Sequence, residues 1–238
     1  MIIKSSIFKP TAFLNLCHRM MPYAFWGMVI FLSIGLVWGV FFAPIDYQQK
    51  EMIWMMYIHV PTAWFSLFCY GCLALSSLIF LVSRLTLFDL GACTFGKIGT
   101  ILTFVCLITG SLWGKPMWGT YWVWDARLTS MAVLQFLFIG HWILRTSFEN
   151  SETGAKMAAL LGIFGIVNLP IIKWSVDFWA TLHQGQSILK MAGPSIHISF
   201  LVPLFMSGLG VFLYVWLMFF ILMQTDLLNL KRGSFDGL

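Results

Sequence analysis

Two histidines and one run of tryptophans carry the chemistry available to this sequence. His59 stands in YIHVPTAW and His183 in WATLHQGQS; between them lies WGKPMWGTYWVWDARLT, from Trp113 to Thr129. Five of the residues from 113 to 124 are aromatic, against 17% for the whole chain. Imidazole nitrogens are axial ligands for haem iron, and indoles offer apolar faces to a flat partner. Lys115 and Arg127, beside the tryptophans, are suited to carboxylates through charge-assisted hydrogen bonds. Iron, porphyrin face and propionates are the three needs of haem, and these residues match all three.

Each part also has a plainer use. A histidine near a membrane surface can serve as an interfacial polar group, and tryptophans form interfacial belts. A belt accounts for Trp26, Trp38, Trp142 and Trp216. It accounts less well for WGKPMWGTYWVWD, because Gly114, Pro116 and Gly119 specify a shaped segment. Asp125 suits the N-cap of a following helix with Arg127 in its first turn, a role compatible with ligand binding. Of the other histidines, His197 is the rival ligand, while His18 and His141 belong at the opposite face. Cys69-Tyr-Gly-Cys72 has the spacing of a redox pair, but it lies inside an apolar run and not at an exposed helix start.

The elements that position these residues are membrane helices. The chain is 60% apolar and 10% charged, with mean hydropathy +0.87; an ordinary soluble domain is about 25% charged. Long apolar runs predict an all-α integral membrane protein, since a helix satisfies its own backbone in lipid. Six spans are expected at 23–43, 57–82, 96–113, 128–144, 157–172 and 196–223, with Pro203 bending or starting the last. They divide the chain into a tail (1–22), a six-span domain (23–224) with a tryptophan-rich loop (113–129), and a second tail (225–238). The first run ends FFAPID, lacks a small-residue cleavage site and is too long for a signal core, so it is expected to stay.

Charge sets the orientation. Nine Lys and Arg fall in the tails and in the 84–97 and 145–156 loops; five fall in the other three loops. That bias puts both termini in the cytoplasm. The net charge of +5 is therefore juxtamembrane, and no nucleic-acid partner is expected. Parity places His59, the tryptophan loop and His183 together on the outer face.

WGKPMWGTYWVWDARLTS resembles the tryptophan-rich WWD signature of haem-handling proteins in cytochrome c maturation. With YIHVP, TLHQG, six spans and 238 residues, the likeness narrows to the C-protein family of the system I pathway, CcmC, over roughly 20–225. The resemblance implies a protein of the bacterial inner membrane holding haem b at its periplasmic face. Its partners would be a membrane-anchored haem chaperone (the E protein), ABC transporter subunits A and B, and a small one-span D protein. Carried over, His59 and His183 become axial ligands. Trp113, Gly114, Pro116, Trp118, Gly119, Trp122, Trp124, Asp125 and Arg127 become the haem-facing loop. Tyr121 departs from the family, which often has tryptophan there.

The implied activity is haem transfer by ligand exchange, not conventional enzyme catalysis. Two other classes compete. A membrane cytochrome b places its ligands inside facing spans, whereas one candidate here sits in a loop. A transporter of haem or another solute would carry polar or broken-helix sites at the midplane, and these runs hold almost none.

Overall fold

The computed structural model describes residues 10–179, 181–183 and 195–236. Lys4, Lys9, Lys190 and the Gln184–Gly185 part of TLHQG lie outside the described residues, as do the side chains of Lys231 and Arg232. The described chain is helical, and six helical segments are long and apolar enough to cross a membrane. This is a multi-pass membrane protein.

Helix α1 is Pro10–Phe41, and α2 (Met56–Ser83) continues from a short 3-10 turn at Glu51–Met55. Helix α3 is Thr86–Trp118 and α4 is Ala126–Thr146. The fifth span is composite: α5 (Ser151–Phe164), a 3-10 turn at Gly165–Val167, and α6 (Asn168–Phe178). Helix α7 is Ile198–Asp236.

Helices run past the apolar stretches that mark them, which corrects several expected boundaries. The 84–97 loop shrinks to Arg84 and Leu85, because α3 begins at Thr86 with its first-turn acid, Asp89, buried against Arg145 of α4. Likewise α5 starts at Ser151, where the Asn150 side chain accepts the Glu152 and Thr153 N–H groups. The expected loop 113–129 is also too long. Trp113, Gly114, Pro116 and Trp118 lie in the last two turns of α3, and only residues 119–125 connect it to α4. Pro116 is tolerated so near the helix end. The stop comes from Gly119, whose φ of 77° makes a left-handed cap with its N–H on the Lys115 carbonyl at 3.0 Å.

The core joins α2, α3, α4 and α7 around Tyr70, Leu73, Ile98, Leu134, Phe138 and Val215. Helix α1 packs chiefly on α7, close enough that a Cβ at Gly35 would collide with the Ser207 backbone. Cys69 and Cys72 lie mid-way along α2 as free thiols. Six spans bring the start of α2, the α3–α4 connection and the end of α6 to one end of the bundle.

Candidate functional site

His59 sits one turn into α2, with its ring turned onto α3. Its Nδ1 lies 3.0 Å from the Cys106 carbonyl and 3.2 Å from Thr109 Oγ1. A carbonyl only accepts, so Nδ1 carries the proton and Nε2 keeps its lone pair. The indole of Trp113 meets the ring edge to face at 5.7 Å between centroids. Gly110 makes room for this arrangement, since a Cβ there would stand 2.8 Å from His59 Cε1.

His183 follows the end of α6 and is held by a different set of groups with the same result. Its Nδ1 lies 3.2 Å from Asp125 Oδ2, so the N–H donates to the carboxylate and Nε2 is again left with its lone pair. Thr181 binds the same carboxylate oxygen through its hydroxyl and accepts the His183 backbone N–H at 3.1 Å. Asp125 also caps α4, its Oδ1 accepting the Leu128 N–H at 2.7 Å. One buried carboxylate thus starts a helix and orients an imidazole. Trp118 covers the His183 ring at 4.8 Å; Gly114 permits this, because a Cβ there would come 2.9 Å from the Trp118 ring.

Burial, helped by the Arg127 cation, pushes the His183 pKa below its ordinary value against the opposing pull of Asp125. Burial alone would raise the Asp125 pKa. Hydrogen bonds from Thr181, the Leu128 N–H and His183 outweigh it and hold the carboxyl below its ordinary value. The pair therefore sits as a neutral imidazole beside a carboxylate at neutral pH.

Among the described residues, three nitrogens at this end are buried without a hydrogen-bond partner: Trp113 Nε1, Trp122 Nε1 and Arg127 Nε. Most other buried orphans among the described residues are hydroxyls, which rotate; an indole N–H cannot. His183 and Arg127 both lie within electrostatic reach of the His59 ring. The donor set fits haem: two imidazoles with free Nε2, indoles beside each ring, and unpaired N–H donors for acidic groups.

The expected site residues do not all converge. Trp122 and Trp124 pack edge to face at 5.5 Å, but Trp124 is 81% exposed and points away. Pro116 is also exposed and Gly119 serves as the cap. Lys115 donates to the Gly119 carbonyl at 2.9 Å and lies over the Tyr121 ring, so it braces the turn. His197 is exposed and caps its own helix, its Nδ1 3.3 Å from the Ser199 N–H. His18 is exposed on α1, and His141 is buried toward the other end of α4.

A family model, CcmC, described as heme exporter protein C, matches residues 3–235. The chain belongs to the heme exporter protein C family. The "Heme exporter protein C" of Haemophilus influenzae is 44% identical over 210 residues, 88% of this chain and 85% of that one. The protein of the same name from Bradyrhizobium diazoefficiens is 44% identical over 226 residues, 95% and 86% of the two chains. A "Putative cytochrome c biosynthesis ccmC-like mitochondrial protein" of Marchantia polymorpha is 45% identical over 196 residues, 82% and 80% of the two.

Within this heme exporter protein C family chain, Cys106, Thr109, Gly110 and Thr181 shape the site and escaped the sequence reading. Two signals were present. Thr109-Gly110-Ser111 is a patch of weak helix formers inside an apolar span, and Thr181 stands two residues before His183, the spacing of a hydroxyl turn.

Proposed function

We propose that this protein binds haem b between His59 and His183 and passes it to a membrane-anchored haem chaperone during c-type cytochrome biogenesis. One observation carries the reading. Each imidazole commits Nδ1 to a fixed acceptor, Cys106 O or Asp125 Oδ2, so two Nε2 lone pairs are presented at the same end of the bundle. Trp113 and Trp118 give the porphyrin its apolar walls, and the unpaired N–H groups of Trp113, Trp122 and Arg127 would take the propionates. When bound, haem supplies the iron that the imidazoles ligate. Exposed Trp124 and Tyr121 form the rim on which the chaperone docks.

The names of the relatives support haem handling in this setting. The excess of Lys and Arg at the opposite end supports a cytoplasmic position for both termini and a periplasmic site in a bacterial inner membrane. ABC subunits A and B and the one-span D protein complete the proposed assembly.

The test is the visible spectrum of the chain purified in mild detergent. Wild type should show a six-coordinate low-spin form; His59→Ala and His183→Ala should each collapse it, and His18→Ala should leave it intact. Wild type that carries no haem even when made together with the chaperone would end this reading.

A further inference from the structure

The two imidazoles of the site are held by unlike acceptors. His59 Nδ1 lies 3.0 Å from the Cys106 carbonyl and 3.2 Å from Thr109 Oγ1, both neutral groups. Each of these is shared. The Thr109 hydroxyl proton is used within α3, on the Val105 carbonyl at 2.7 Å, and Cys106 O is a mid-helix carbonyl that also serves the α3 ladder. His183 Nδ1 lies 3.2 Å from Oδ2 of Asp125, a carboxylate only 7% exposed. An imidazole that donates its Nδ1 proton to a carboxylate gains imidazolate character and binds a metal more strongly through Nε2; one that donates to a carbonyl gains less. Burial strengthens the difference, because little water screens it. The Arg127 cation acts on both rings, so it does not distinguish them.

The stronger acceptor is also the more firmly fixed. His183 stands outside a helix, yet its backbone N–H donates to Thr181 Oγ1 at 3.1 Å, and the Thr181 hydroxyl donates to the same Asp125 oxygen that holds the ring. The other Asp125 oxygen caps α4 at 2.7 Å, which anchors the carboxylate to a helix start. Trp118 covers the ring at 4.8 Å.

We infer that the site is built unequally: His183 is the retaining axial ligand, Asp125 and Thr181 are the positioning residues that make it so, and His59 is the ligand that gives way when haem changes hands. The inference rests on the haem reading of this site and adds an order of events to it. In the exchange, the bond between iron and His59 Nε2 breaks and a bond from iron to an incoming neutral donor forms. His59 Nε2 keeps both electrons of the bond it loses, and its Nδ1 proton stays directed at the Cys106 carbonyl. Iron keeps its oxidation state.

The test uses carbon monoxide as the incoming donor. The full chain, purified with haem, is reduced with dithionite and equilibrated with the gas. The Fe–C and C–O stretching frequencies are read by resonance Raman and infrared spectroscopy. Plotted as a pair, they report the donor strength of the ligand opposite carbon monoxide separately from polar groups around the gas. His59→Ala and His183→Ala, saturated with haem, supply the two reference correlations. Wild type is expected to fall with His59→Ala, with His183 still on iron. Asp125→Asn keeps the α4 cap, and its two-imidazole spectrum before reduction shows that it folds. It should raise the Fe–C frequency in wild type and in His59→Ala alike, because a weaker opposite ligand leaves a stronger Fe–C bond. In His183→Ala it should leave the pair in place, a pattern that a merely structural role would not produce. Wild type that falls with His183→Ala, that binds no carbon monoxide, or whose Fe–C frequency does not respond to Asp125→Asn overturns the inference. Wild type that holds no haem overturns the underlying reading, and the inference with it.

Discussion

At one end of the bundle Arg145 donates to both oxygens of Asp89, at 3.2 and 2.9 Å, Lys97 meets Asp226 across α3 and α7, and Lys156 meets Glu152 within α5. At the other end, Arg127 Nε and the indole nitrogens of Trp113 and Trp122 are buried with no hydrogen-bond partner among the described residues, although the Arg127 cation faces Asp125 and Asp177. The buried Asp125 carboxylate there is spent on Thr181, the α4 cap and His183. An unpaired buried donor costs about 1–3 kcal/mol. The first end closes its charges on itself and acts as a structural clamp. The second leaves donors open, which suits an anionic, flat ligand.

Breaking the clamp should give the largest effect on stability. Arg145→Ala strands the buried Asp89 carboxylate and should cost about 3–5 kcal/mol, read as a lower unfolding midpoint in detergent. The surviving folded fraction should keep its haem spectrum, which would separate the two ends. If the protein that remains folded has itself lost haem, the ends are coupled and the contrast fails.

At the open end, Gly110→Val should drive the His59 ring off its acceptor and reduce haem affinity by about 10–100-fold, the usual cost of disturbing the group that orients a ligand, with unfolding little changed. Asp125→Asn sharpens the contrast, because asparagine still caps a helix. Helix α4 should persist while His183 loses its anionic partner, and retention should fall by about tenfold. An unchanged affinity would mean that the His183–Asp125 contact does not orient the ligand.

Acid should act at the same end. The folded-state pKa of His183 lies below its ordinary value, so the unfolded chain takes up that proton first. The stability contributed by neutral His183 is present above about pH 6.5 and falls as pH drops from there toward the folded-state value. Haem should accordingly be held through pH 6.5 and released at lower pH in a spectrophotometric titration; release beginning well above 6.5 would contradict the neutral tautomer. The smallest effect is expected from Trp124→Ala. That ring is 81% exposed, so stability should move by less than about 0.5 kcal/mol and haem affinity hardly at all, while transfer to the chaperone slows.

Much of the fold was legible because lipid imposes simple rules. Tyr23 through Phe41 carries no charge and is helical as expected. The cap at Gly119 was not legible, since the expected loop begins before it, at Trp113. Helix ends beyond the apolar runs were not legible. Thr86–Phe95 contains an aspartate that reads as loop until Arg145, 56 residues away, neutralises it. The same limit applies at the site. Asp125 as a cap could be read locally, but its second oxygen serves Thr181 and His183, which only the return of the chain from α6 brings near.

Hydropathy alone determined six crossings, and six crossings determined that His59, the tryptophans and His183 share one end. Tertiary structure decided which indoles matter, turning Trp113 and Trp118 onto the histidines and Trp124 outward. It also decided the tautomers. A ring nitrogen is committed by whatever acceptor lies 3 Å away, and for His59 that acceptor is the carbonyl of Cys106, 47 residues along the chain on a different helix. Burial, spacing and composition are properties a sequence carries; the partner of a single lone pair is set only when helices pack.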